Sequence, residues 1–299
     1  MLKLRDWIDI DKICWVILSK NPNAIELLKK NRDYICWEYL ASNPNSIELL
    51  KENSDKQLDW YFLSFNPNAT DAMELLEKHK KRICWLVLSK YSNSISFLEK
   101  NINKFFWASL SANPNALPLL KKHTCYIHWV SLSANPNAID LLKENPNQIN
   151  WNNLSKNPNA IDLLKENQNK INWDNLSLNS NAIELLKENQ NKINWVNLSL
   201  NPNAIELLKK NQNKINWANL SLNPNAIELL KENQNKINWL YFSKNRNIFT
   251  YDYLKMKKTM KNSGIVEELM AYTFHPKNME KWKNWGFSEH EEMLKFINE

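Results

Sequence analysis

Ile215–Lys236 reads INWANLSLNPNAIELLKENQNK, and this 22-residue stretch decides the fold. It contains two helix starts. Asn216 is placed to cap a helix opening at Trp217, with Ile215 and Leu220 at the spacing of a hydrophobic staple. Asn223 caps a second start, and Pro224 takes the first helical position, where a missing N–H costs nothing. At 100° per residue Trp217, Leu220 and Ser221 share one face, while Ala218 and Asn219 point away. In the second helix Ala226, Ile227, Leu229 and Leu230 form an apolar arc opposite Glu228, Lys231 and Glu232. Asn233 is predicted to end that helix in the left-handed conformation, as glycine usually would.

The same unit recurs along the chain. Its register is marked by Trp15, Trp37, Trp60, Trp85, Trp107, Trp129, Trp151, Trp173, Trp195, Trp217 and Trp239, mostly 22 residues apart. Two-turn helices are unstable alone in water, and one hairpin cannot bury its own Trp and Leu stripe. Stacked units solve both problems. The expectation is an all-α fold: an α-solenoid of about eleven 22-residue helical-hairpin repeats over residues 1–244, with the tryptophans in the structural core. A helical C-terminal capping region over 245–299 would cover the last apolar face. At about 8–10 Å per packed helix, eleven units make a rod or superhelix on the order of 100 Å long.

Composition agrees. Gly264 and Gly286 are the only glycines in 299 residues, too few for a fold with varied loops. The net charge of +7 is thinly spread, with +3 over residues 1–150, +2 over 151–239 and +2 over 240–299. Nucleic-acid binders usually concentrate their charge. Cys14, Cys36 and Cys84 share the slot before Trp but lie on separate units, which suits reduced packing thiols better than a metal site. There is no apolar run long enough to span a membrane, and the first residues carry acids where a secretion signal would be apolar. No phosphate-binding glycine loop, zinc-protease motif or nucleophile elbow occurs. The chain therefore reads as no enzyme, with no catalytic residue, cofactor, metal or small-molecule substrate, in a reducing cytoplasmic setting.

Units seven to ten are near-copies with small or polar residues after Trp: Asn152-Asn153, Asp174-Asn175, Val196-Asn197, Ala218-Asn219. Earlier units carry Val16, Ile17, Tyr39, Tyr61, Phe62, Leu86 and Val87 there. Apolar and aromatic residues at outward positions are candidate partner-binding residues, and a protein partner is the expectation. The alternative is an RNA-binding solenoid in which repeated asparagines such as Asn152, Asn153 and Asn175 read bases.

After Trp239 the register ends. Asn247–Lys261 reads as aromatics leading into a basic helix, Ile265–Phe274 as a second helix, Pro276 starts a third and Ser288 a fourth. The repeat core Ile-Asn/Asp-Trp-x-x-Leu-Ser-x-Asn-Pro-Asn-Ala-Ile-x-Leu-Leu resembles tandem repeats encoded by giant DNA viruses, the mimivirus and algal-virus relatives. Tyr251-Asp252-Tyr253, His275-Pro276-Lys277-Asn278 and Trp285-Gly286 resemble a C-terminal segment of such proteins. The resemblance implies a viral scaffold in host cytoplasm or a viral factory, or a virion structural component.

Overall fold

The computed structural model describes residues 1–53, 59–68, 84–91, 93, 95–264, 268, 271 and 272. The chain divides into two compact units, Leu4–Thr250 and Met1–Lys3 with Tyr251–Glu299. The larger is an all-α repeat array, and its boundary at Thr250 takes in Asn245 and Asn247, which complete the last repeat. Of the smaller, the helix Tyr253–Asn262 is described, capped by the Asp252 carboxylate on the amide of Lys255 at 3.0 Å. The three further helices expected from 265 onward lie almost wholly outside the described residues. Leu2–Leu4 and Phe249–Tyr251 form a two-stranded sheet.

The full repeat has four short segments rather than two helices, and in units two, eight and nine a plain turn replaces the first 3-10 segment. In unit ten they are an α-helix Trp217–Leu222, a 3-10 turn Pro224–Ala226, an α-helix Ile227–Glu232 and a 3-10 turn Gln234–Lys236. Both expected caps form: Asn216 Oδ1 accepts from the amide of Asn219 and Asn223 Oδ1 from that of Asn225. Pro224 opens a 3-10 turn, and the second α-helix starts three residues later than expected. Asn233 is not left-handed; it sits at φ −127°, ψ 49°. Its side-chain amide instead donates to the carbonyl of Leu229 at 2.9 Å, so one orphan acceptor at the helix end is satisfied without positive φ. Asn31, Asn53, Asn101, Asn145, Asn167, Asn189 and Asn211 make the same bond to the carbonyl four residues back.

Leu220, Ala226 and Leu230 are fully buried, together with Ser221 and Asn223. The buried polar pair is what joins the units. Asn223 Nδ2 donates to the carbonyls of Ser199 and Asn201 in the preceding unit, at 3.1 and 2.8 Å. Asn43, Asn66, Asn135, Asn157, Asn179, Asn201 and Asn245 repeat this pair of bonds. Ser199 Oγ donates to the carbonyl of Trp195 and accepts from the amide of Asn216 in the next unit. Asn225 Nδ2 reaches back to the carbonyl of Pro202. The side chains of Asn223, Ser199 and Asn225 are thus all bonded in the joint, as burial requires.

The array is not a rod. Asn21 Nδ2 donates to the carbonyls of Ser243 and Asn245, at 3.2 and 3.0 Å, across 222 and 224 residues of chain. The amide of Cys14 donates to Ser243 Oγ at 2.9 Å, and Asn23 Nδ2 to the carbonyl of Arg246 at 2.9 Å. These are the internal joints repeated, with unit eleven standing before unit one. The eleven units close into a ring.

Closure uses both ends of the array. Unit eleven supplies Trp239–Phe242 and Arg246–Ile248, and the N-terminal segment completes it. The amide and Nε of Arg5 donate to the carbonyls of Ile248 and Asn247. Trp7 lies 5.8 Å from the ring of Phe242, and Ile8 is buried. The 3-10 turn Ile10–Lys12 stands where Gln234–Lys236 stands before Trp239. Unit one thus stands against unit eleven as each unit stands against the one before it.

The tryptophans are a second correction. All eleven are half-buried, and the core proper is Leu, Ala and Ile with the Ser and Asn ladders. Trp opens its helix, so only one side of the ring reaches the core. In six units the other side is covered by a residue 19 positions on. Lys170, Lys192, Lys214 and Lys236 place their ammoniums 4.6, 4.4, 4.6 and 4.4 Å from the ring centroids of Trp151, Trp173, Trp195 and Trp217. Tyr34 and Tyr126 stack on Trp15 and Trp107 at 4.9 and 4.7 Å. At the seam Lys12 sits 5.3 Å over Trp239.

Candidate interaction surface

Among the described residues, close backbone approaches between successive units include those of the Trp-helices Trp37–Ala41, Trp60–Ser64, Trp85–Tyr91, Trp107–Ser111 and Trp129–Leu132, and of the Pro-Asn-Ala turns.

Of the candidate partner-binding residues, Val16, Tyr61 and Leu86 are exposed, and Ile17, Tyr39 and Phe62 half-buried. Val87 is only 8% exposed and is withdrawn as a surface residue. Its slot, the second after Trp, faces the neighbouring unit rather than solvent. In later units that slot holds Asn153, Asn175, Asn197 and Asn219, whose side-chain amides donate to the carbonyls of Val130, Asn152, Asp174 and Val196. In units two and three Tyr39 and Phe62 meet there edge to face at 5.1 Å.

The structure gathers these aromatics with others that the slot comparison missed. Tyr61 is edge-on to Phe62 and Phe65 at 5.7 and 5.2 Å, and Phe65 is 5.7 Å from Tyr91. Edge-to-face pairing fixes the rings against one another. Phe65 and Lys20 share a further slot, the residue before the ladder asparagine, where later units carry Ala112, Ala134, Leu178, Leu200 and Leu222. Comparing that slot across units would have found Phe65. Lys244 in the same slot becomes Lys20's neighbour only through ring closure.

Lys20 Nζ lies 3.9 Å over the ring of Tyr39 and 5.2 Å from that of Phe62. Burial of its ammonium, then the neighbouring Lys244, holds its pKa below the ordinary lysine value, against a smaller opposite pull from Cys36. Lys20, Ser42, Phe62, Phe65 and Lys244 line a cavity of about 340 Å³. Cys14, Cys36 and Cys84 are half-buried free thiols in separate units, and Cys125 is exposed.

Among the described residues no helix is long and apolar enough to cross a membrane. No family model, curated protein or solved structure matches the chain. The fold itself defines the class: a closed ring of short helical repeats, laced by buried asparagines.

Proposed function

We propose that the ring is a non-enzymatic scaffold that binds a protein partner through the aromatic sector of units one to four. One observation carries this reading. Tyr39, Tyr61, Phe62, Phe65, Leu86 and Tyr91 cluster on one arc, while the matching slots elsewhere hold mostly small, aliphatic or polar residues. Rigid aromatic clusters are the usual anchors of protein interfaces. The resemblance to giant-virus repeats supports a place in the infected cell.

The RNA alternative has less support. The amides of Asn153 and Asn175 already bond neighbouring units, and the outer faces of Trp151 to Trp217 lie under lysines rather than open for base stacking.

The test compares proteins captured from infected cells by the wild-type ring and by the triple variant Tyr39→Ser, Tyr61→Ser, Phe62→Ser. The affinity of any differential partner is then measured at several salt concentrations. The scaffold reading expects loss of the partner by about 2 kcal/mol or more, the scale of a hot spot, with shallow salt dependence. Unchanged capture, or binding of RNA that weakens steeply with salt, would replace it.

A further inference from the structure

The cavity at the seam combines two features found nowhere else round the ring. In the slot before the ladder asparagine, units eleven and one carry Lys244 and Lys20 side by side. Lys90 and Lys156, the other lysines of this slot, have Phe65 and Ala112, and Ala134 and Leu178, as their slot neighbours. Two units beyond Lys20 stands Phe65, the only aromatic in this slot, and it lines the cavity with Phe62.

Two cations beside one another are held at a cost unless an anion joins them. Among the described residues neither ammonium has a carboxylate within ion-pair distance. Lys20 leans on the face of Tyr39 instead. The apolar side of the cavity is preorganised, since Phe62 is braced by Tyr39 and Tyr61, and Phe65 by Tyr61 and Tyr91. A volume of about 340 Å³ is at the small end of ligand sites and takes one ring with a charged substituent.

We propose that the seam cavity binds a small organic anion with a flat aromatic body, its carboxylate or phosphate between Lys20 and Lys244 and its ring against Phe62 and Phe65. The ligand is held and not turned over. The site exists only in the closed ring, because 224 residues of sequence separate the two lysines. This inference stands apart from the protein-partner reading and does not need it.

Titration of the full chain by calorimetry and ligand-observed NMR tests it, with phenyl phosphate, benzoate, inorganic phosphate and benzyl alcohol as probes. The two aryl anions separate a phosphate from a carboxylate ligand. At least one should bind saturably, with inorganic phosphate and benzyl alcohol each weaker. Lys244→Ala should weaken both the aryl anion and inorganic phosphate about tenfold, the scale of one charged hydrogen bond. Phe65→Ala should weaken the aryl anion to the level of inorganic phosphate and leave the latter unchanged. Ala already occupies this slot at Ala112 and Ala134, so both variants place in the seam what the ring tolerates elsewhere. Lys156→Ala, in the same slot far from the seam, should change nothing. The proposal is overturned if neither aryl anion saturates by about 10 mM, weaker than which binding carries under ~3 kcal/mol. It is equally overturned if Lys156→Ala weakens binding as much as Lys244→Ala does.

Discussion

The side-chain amide of Asn21 donates to the backbone carbonyl of Asn245 over 3.0 Å, and the side-chain amide of Asn43 donates to that of Asn21 over 2.8 Å. Unit eleven therefore stands to unit one as unit one stands to unit two. In a linear array the first unit would have nothing before it, and the side-chain amide of Asn21 would find no acceptor in another unit. The relationship turns a question of shape into one of energetics.

Asn21→Ala and Asn201→Ala should cost nearly the same stability. Each removes a donor from two buried carbonyls and an N-cap acceptor, worth about 3 kcal/mol together. Chemical denaturation of the two variants checks this. A linear array would leave Asn21→Ala only the loss of its N-cap bond to Asn23, about 1 kcal/mol.

Ser199→Ala should be milder, about 2 kcal/mol by the same measurement, as for its two hydrogen bonds to Trp195 and Asn216. Ala41 already stands in this slot in unit two, so the joint tolerates the missing hydroxyl. A loss as large as that of Asn201→Ala would mean that serine, not asparagine, carries the joint.

Trp173→Ala should cost about 2 kcal/mol, below the ~3–5 kcal/mol of a fully buried aromatic, because one face of the ring lies under Lys192 rather than in the core. Lys192→Ala should shift Trp173 emission and cost under about 1 kcal/mol. Loss of cooperative unfolding in Trp173→Ala alone would return the tryptophans to the core.

Much of the fold was legible in the sequence, and the reason is local. Each helix start carries its own cap, and Asn216, Asn223 and Pro224 fix their segments without distant help. Ring closure was not legible, because curvature is a small difference in spacing between the two sides of the array, summed over eleven units. The sequence shows Asn21 in the ladder slot, and only its pairing with Asn245 reveals what the ladder does there. The half-burial of tryptophan was missed for a related reason. A helical wheel places Trp with Leu and Ser, but the first residue of a helix has no preceding turn to bury its far side. Of the candidate surface, the aromatics Tyr39, Tyr61 and Phe62 could be picked out by comparing units. Lys244 could not, since it joins them across the seam.

Lys20 should titrate below the ordinary lysine value of 10.5. Burial and Lys244 lower its folded pKa, so between that value and 10.5 the unfolded chain binds more protons than the ring. Stability linked to this group therefore rises with pH across that window. Lysine-selective NMR reads the titration directly, and Lys20→Met should remove the associated slope of stability against pH. A midpoint at or above 10.5 would contradict the desolvated seam.

The closed ring is tested most directly by a spin-label distance between positions 16 and 196. Val16, Val130 and Val196 occupy the same exposed slot in units one, six and nine. Replacing Cys14, Cys36 and Cys84 by Asn, as later units have it, and Cys125 by Ser leaves only introduced cysteines to label. In the ring, 196 to 16 across the seam and 196 to 130 along the chain are both three units. A closed ring gives two closely matching distance distributions, near 25 Å between backbones for units about 9 Å apart. A 16–196 distance two to three times the 130–196 distance, as eight steps of an open array would give, would contradict it.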